Sequence, residues 1–259
     1  MPKSSISPSI KYSNRSKPDP QLFHMPAHYI MIGGFLGSGK STSILKFAQT
    51  LDAEGLKVGL ITNDQGARLV DTAVVNANGF PVEEIAGGCF CCRFNSLRDA
   101  ADRLTANVRP DVFLAEPVGS CTDLVATVSY PLRRMYGDQY RVAPLSVLVD
   151  PVRALRILGV EEGAKFTEKV MYVYRKQLEE ADYIVVNKAD SLEPARLEKL
   201  REALGREYPG TRVFVVSARE GTGLPEWFTA VREGEASSGP AMDIDYETYA
   251  EGEALLGWL

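Results

Sequence analysis

Long apolar runs are missing from this chain. Nowhere in its 259 residues is there a stretch approaching the roughly 20 apolar residues of a membrane-spanning helix, so no membrane role is expected. The first residues, MPKSSISPSIKYSNRSKPDPQ, carry Lys and Ser but no apolar segment; this does not fit a secretory signal, and residues 1–27 read as a disordered leader. A basic excess is lacking too. With 29 Lys and Arg against 34 Asp and Glu, the net charge of −5 has the wrong sign for a general nucleic-acid surface. Histidine is scarce, with only His24 and His28. The four cysteines are too few for a disulfide scaffold in a chain this long, and the expected compartment is the cytoplasm.

What is present is an alternation of short apolar runs with longer helical patterns. YIMIGG (29–34), KVGLIT (57–62), VEEIAG (82–87), DVFLAE (111–116), LSVLVD (145–150), YIVVNK (183–188) and RVFVVS (212–217) read as strands. Several are continuous Val/Ile/Leu runs, as in parallel strands buried on both faces. Helical stretches at 40–55, 96–108, 168–181 and 192–208 lie between them. The repeated alternation predicts a doubly wound, mostly parallel α/β sheet over residues 28–234. Residues 235–259 begin with a Ser/Gly/Pro linker and end in an acidic, partly amphipathic segment closing on Leu255, Leu256, Trp258 and Leu259, as though a second domain started there.

GFLGSGKS, Gly34 to Ser41, fits the G-x-x-x-x-G-K-[ST] phosphate-binding pattern, with an apolar strand before it and an amphipathic helix after. Glycines such as Gly34, Gly37 and Gly39 let backbone N–H groups, including that of Ser38, turn inward at a helix start, where the dipole also favours phosphate. Lys40 reaches the β and γ phosphates in such a loop, Ser41 completes a Mg²⁺ shell, and Thr42 follows in the first turn. NKAD places Asn187, Lys188 and Asp190 directly after a buried strand. A carboxylate at Asp190 accepts from guanine N1–H and the 2-amino group, donors that adenine lacks. Ser217 and Ala218 follow the next strand, within reach of guanine O6. GTP is therefore the expected nucleotide. Alone, such a four-residue match is also an ordinary polar turn with an Asp cap.

Hydrolysis requires Mg²⁺, an oriented water and compensation of γ-phosphate charge. Asp64, Glu116 and Asp150 all sit where strands end. Glu116 with the following Gly119 has the form of a second acidic motif, and Asp64 lies where a switch-like loop supplies a Mg²⁺ or water contact. Asp150 reads as structural. Each has the plainer reading of a cap or turn former. No arginine stands out as a catalytic finger; Arg133 and Arg134 read as solvated helix-end residues.

Cys89, Cys91 and Cys92 follow a strand and precede a helix beginning near Arg93 or Phe94. In an open parallel sheet ligands bind at the carboxyl ends of strands, so these thiols belong to the nucleotide edge. The helix N-terminus and Arg93 are expected to lower their pKa values. C-x-C-C spacing suits a soft or borderline ion, with Zn²⁺ the commonest, and needs a further ligand. Cys121 is a conceivable one, or else a small buried residue. A redox pair and simple packing are the alternatives for the cluster.

Taken in order, GFLGSGKST, the ND with glycine after the second strand, GGCFCC, EPVG and NKAD resemble the CobW family of metal-chaperone GTPases, relatives of UreG, HypB and MeaB. The motifs fall within residues 29–234. The resemblance implies a SIMIBI-type P-loop GTPase that hydrolyses GTP slowly, binds Zn²⁺ or Co²⁺, and delivers it to a client metalloenzyme or cofactor-bearing protein. It further implies that nucleotide state gates metal affinity, and a nucleotide-dependent homodimer is a further expectation. By position it assigns Lys40 and Ser41 to phosphates and Mg²⁺, Glu116 to the Mg²⁺ or water network, Cys89, Cys91 and Cys92 to the metal, and Asn187 with Asp190 to guanine. The chain departs from the family where Asn63-Asp64-Gln65-Gly66 stands in place of Asn-Glu-Phe-Gly, and in lacking a His-rich tract; the family's typical C-terminal domain is expected to be absent from the given sequence or cut short in it. A different function on the same parts is a GTPase activator that loads a corrinoid- or metal-dependent enzyme without carrying metal itself.

Overall fold

The computed structural model describes residues 25–64, 79–86, 89–164, 166–236 and 242–256. Strands β1 (Ala27–Gly34), β2 (Val58–Asp64), β3 (Val82–Ala86), β4 (Val112–Glu116), β5 (Tyr140–Val142), β6 (Ser146–Val149), β7 (Tyr183–Val186) and β8 (Arg212–Val215) form one sheet in the order β3-β2-β4-β1-β6-β7-β8. Every pairing is parallel. The doubly wound fold expected from strand–helix alternation is the fold observed. β5 is the strand that apolar runs did not reveal, being three residues long with an exposed middle. It pairs with the start of β1 while β6 pairs with its end, so the two lie one after the other along the same side of β1.

Two apolar layers follow from the period-two side-chain alternation of β1. Tyr29 and Met31 face one layer with Phe113, Leu97, Val173 and Tyr174. Ile30 and Ile32 face the other with Phe47, Leu51, Leu114 and Trp227. Helices α2 (Phe94–Asn107) and α5 (Glu168–Glu179) cover the first face. Helices α1 (Lys40–Ala53) and α7 (Leu224–Glu233) cover the second, where the Phe47 and Phe228 rings stack with centroids 3.9 Å apart. Short α3 (Tyr130–Tyr136) and α4 (Pro151–Ile157), with α6 (Pro194–Glu207), complete the covering.

The last helix, α8 (Tyr246–Leu256), lies within residues 235–259 and packs on α5, with Tyr249 and Leu256 joining the first apolar layer. At Gly252 an added Cβ would collide with the Lys169 carbonyl and lie 2.8 Å from Val173 Cγ2, so the absence of a side chain is what brings the two helices together. Among the described residues no helix is long and apolar enough to cross a membrane.

Candidate nucleotide site and its neighbouring thiols

β1 is flanked by β4 on one side and β6 on the other, so crossovers leave it in opposite directions and open a crevice at its carboxyl end. The phosphate-loop motif fills that position. Ser38 N–H donates to Phe35 O at 3.1 Å, closing the turn, and α1 starts at Lys40 behind a left-handed Gly39 (φ +92°). A Cβ at Gly39 would run into Asn187 Nδ2, so glycine is required there on two counts. Lys40 and Ser38 are buried, and Thr42 is exposed on the first turn. The Ser38 hydroxyl has no hydrogen-bond partner among the described residues.

Several elements hold this loop. From the end of β7, Asn187 Nδ2 donates to Ser38 O at 2.9 Å while its Oδ1 accepts from Ala218 N–H at 3.0 Å. Lys188, itself left-handed (φ +58°), donates to Gly37 O at 2.6 Å and pairs with Asp150 at 2.9 Å. Asp150 also accepts from Arg153 N–H at 3.0 Å and so caps α4. Burial alone would push its carboxyl up, but the Arg153 N–H and the Lys188 ammonium outweigh burial and leave it below its usual range. Arg153 donates to Leu36 O, its guanidinium 5.2 Å from the centroids of both Phe35 and Phe166. Sequence reasoning missed Arg153. Its signal was the Asp150-Pro151 helix start, which directs the next turn back toward the phosphate loop.

Ser41 Oγ donates to Glu116 Oε1 at 2.9 Å, joining the loop to the end of β4. Ser217 Oγ donates to Asp190 Oδ1 at 2.5 Å and accepts from Glu220 N–H, so the exposed Asp190 carboxylate is oriented by the β8 turn. Asp64 ends β2, its backbone in register with Ala86. Gln65 and Gly66 of the expected switch loop, and Gly87 and Gly88 before the cysteines, lie outside the described residues. Arg133 and Arg134 bond to Ala236 O and Tyr130 Oη.

The three thiols of the C-x-C-C stretch follow β3, with all their Sγ atoms within 4.8 Å of one another. Cys89 is buried, Cys91 half-buried and Cys92 exposed. Cys91 Sγ lies 2.7 Å from Cys89 Sγ and 3.8 Å from Cys92 Sγ. The expected cause of thiolate character is corrected here. Cys89 is lowered chiefly by hydrogen bonds from the Cys121 and Cys91 thiols, not by Arg93. Cys91 moves the opposite way, raised by its contacts with the Cys121 and Cys89 thiols and by burial, and Cys92 is raised by Cys89 and by burial, because one negative charge in the group disfavours a second.

Helix α8 reaches this group from the far end of the chain. Ser120 Oγ donates to Glu253 Oε1 at 3.0 Å, Tyr249 Oη to Ser120 O at 3.4 Å, and Tyr246 Oη to Asp123 at 3.2 Å. The Glu253 carboxyl is pushed up by burial and by the nearby Cys89.

A glycine-rich anion nest at a helix start, a Ser–Glu pair beside it and an Asn-Lys-x-Asp turn on the same edge of a parallel sheet define a P-loop nucleotide-binding protein of the GTPase class. Within that class, the chain belongs to the CobW/HypB/UreG family, matching its nucleotide-binding domain over residues 28–215. It is 33% identical over 175 residues to the zinc chaperone YeiR of Escherichia coli, covering 66% of this chain and 49% of that protein. It is 28% identical over 196 residues to the zinc chaperone CobW of a Sinorhizobium species, covering 66% and 53%. The chain thus spans about half the length of these curated relatives. The crystal structure of Zn(II)-bound YjiA GTPase from E. coli shares the fold, with a TM-score of 0.53 and 21% identity over 86% of this chain and 69% of that one.

Proposed function

We propose that this chain binds GTP with Mg²⁺, hydrolyses it slowly, and couples nucleotide state to the holding of Zn²⁺ or Co²⁺ by Cys89, Cys91 and Cys92 for delivery to a client protein. The observation carrying this reading is that one sheet edge bears both a braced phosphate loop and a three-thiol cluster.

The donor sets fit both ions. Ser41 Oγ and Glu116 Oε1 stand 2.9 Å apart, and neighbouring ligands of an octahedral Mg²⁺ are also about 2.9 Å apart. A bound Mg²⁺ neutralises charge on the β and γ phosphates. Lys40 and the loop N–H groups hold those phosphates, the orphaned Ser38 hydroxyl gains an acceptor from them, and the Asp190 carboxylate selects guanine by accepting from its N1–H and 2-amino group. For the cargo ion, the 3.8 Å between Cys91 and Cys92 equals the sulfur–sulfur edge of about 3.8 Å in a tetrahedral zinc thiolate. Cys89 and Cys91 at 2.7 Å must open by about 1 Å to reach that edge. The ligands offered are sulfur, which suits Zn²⁺ and Co²⁺ over Mg²⁺.

Linkage requires that a metal whose affinity depends on nucleotide must alter nucleotide affinity by the same factor. Titrating GTP into the protein with and without Zn²⁺ tests this, and equal affinities in Zn²⁺ and in Co²⁺ would sink the coupling. In the Cys89→Ser, Cys91→Ser, Cys92→Ser triple variant the metal effect should vanish while GTP still binds. Client activation that survives this triple substitution would point instead to an activator that carries no metal.

A further inference from the structure

Cys121 stands outside the C-x-C-C stretch, yet it is buried in the same core cluster as Cys89 and Phe90, and its thiol is the leading influence on both Cys89, which it lowers, and Cys91, which it raises. Three thiols at C-x-C-C spacing leave a tetrahedral ion one ligand short, and Cys121 comes to the buried side of the group, opposite in exposure to Cys92.

Its position is not accidental packing of a small residue. The segment 116–123 is held at several points. Gln177 Nε2 of α5 donates to both Gly119 O at 2.8 Å and Cys121 O at 3.0 Å. Cys121 N–H closes a turn onto Val118 O at 2.9 Å. Gly119 passes so near the phosphate loop that an added Cβ would sit 2.9 Å from Leu36 N. Ser120 and Asp123 are bonded from α8 by Glu253, Tyr249 and Tyr246. These restraints fix the backbone that carries Cys121.

Resting on the metal-binding reading above, we propose that Cys121 is a ligand of the bound Zn²⁺ or Co²⁺, completing a four-sulfur shell in which Cys92 alone is exposed. Four thiolates crowd negative charge, and the N-terminus of α2, which begins at Phe94 just after Cys92, is placed to offset part of it. The exposed Cys92 is then the ligand that an incoming client thiol or imidazole can replace first. This exchange moves the ion without changing its oxidation state: an incoming thiol gives up its proton as it binds, an imidazole binds as the neutral ring, and the displaced thiolate takes up a proton. The same short segment that presents Cys121 begins at Glu116, which bonds Ser41, so a ligand of the metal and a residue of the phosphate loop share one stretch of backbone.

The experiment is X-ray absorption on the Zn²⁺- and Co²⁺-loaded protein, with competition titration against a chelator. The wild type should give a sulfur-only first shell, and Cys121→Ser should lose one sulfur. Metal affinity should fall at least about tenfold, the lower end of what even outer-shell partners are worth at such sites. Circular dichroism establishes that the variant is folded; if the serine variant does not fold, Cys121→Ala and the wild-type sulfur count carry the test. A wild type with three sulfurs and one light ligand, unchanged by Cys121→Ser, overturns this assignment alone. A wild type that takes up neither ion overturns it together with the metal-binding reading.

Discussion

The phosphate loop and the cysteine segment occupy one edge of one sheet, but different forces hold them. The loop lies at the centre of the sheet, between β4 and β6, and is fixed by hydrogen bonds from Asn187, Lys188 and Arg153 and by one that Ser41 donates to Glu116. The cysteines follow β3, the outermost strand of the order, and contact chiefly one another. The neighbouring loop at Ser120 is bonded by α8, a helix from the opposite end of the chain. A phosphate site needs donors fixed in advance, because reorganising them at the moment of reaction would raise the barrier. A site that must accept and surrender an ion needs ligands that can spread and be exchanged. Under the proposed function the thiol cluster, running from buried Cys89 to exposed Cys92, is the second kind of site.

The largest test of this contrast lies on the rigid side. Lys40→Ala should cut GTP hydrolysis at least about a hundredfold, as for loss of a charge-stabilising donor, while leaving a Co²⁺ thiolate absorption band intact. If that band disappears too, the two sites are not separable. Next, Asp190→Ala removes the carboxylate proposed to read the base and should weaken GTP about 10- to 100-fold in equilibrium binding, the range for hydrogen bonds to a charged group. ATP affinity should not move; an equal loss for both nucleotides would contradict guanine selection.

Smaller effects probe the joint between the regions. Gly119→Ala forces a methyl group against Leu36 N and should cost about 1–3 kcal/mol, seen as a lowered Tm. Gly252→Ala acts on the adjustable side, pushing α8 off the Lys169 carbonyl. Faster alkylation of Cys89 by a bulky reagent, with GTP affinity unchanged, is the expected result; equal rates would mean that α8 does not shield the thiols.

A separate test concerns pH. Burial pushes the Glu180 carboxyl up to about 8, although Val125 N–H donates to it at 3.2 Å. The folded state therefore holds a proton that the unfolded state releases near pH 4.5. Stability from this group is complete below pH 4.5 and is lost as pH rises toward 8. Glu180→Gln should flatten the fall of Tm across that window, and a slope identical to wild type would show that the carboxyl ionises freely in the fold.

Much of the molecule was legible in order along the chain. Apolar runs identified the strands around the site because parallel strands buried on both faces need uninterrupted Val, Ile and Leu, as in Ser146–Val149 and Tyr183–Val186. β5 escaped because its exposed Arg141 breaks such a run. The source of the Cys89 shift escaped as well: Arg93 is the neighbour in sequence, whereas Cys121 and Cys91 are the neighbours in space. Arg153 was hidden because its interest lies in Leu36, 117 residues away.

The phosphate loop could be read from sequence alone because a backbone nest is made by consecutive residues, and Gly37, Ser38, Gly39 and Lys40 carry their geometry with them. The strand order, the burial of Cys121 in one cluster with Cys89 and the docking of α8 on the Ser120 loop were decided only by the tertiary structure. Ser120 and Glu253 are separated by 133 residues, and no local preference encodes their contact. It exists because α5 and α8 bury their apolar faces against each other, and that packing carries Glu253 and Tyr249 to the one loop that joins the nucleotide edge to the thiols.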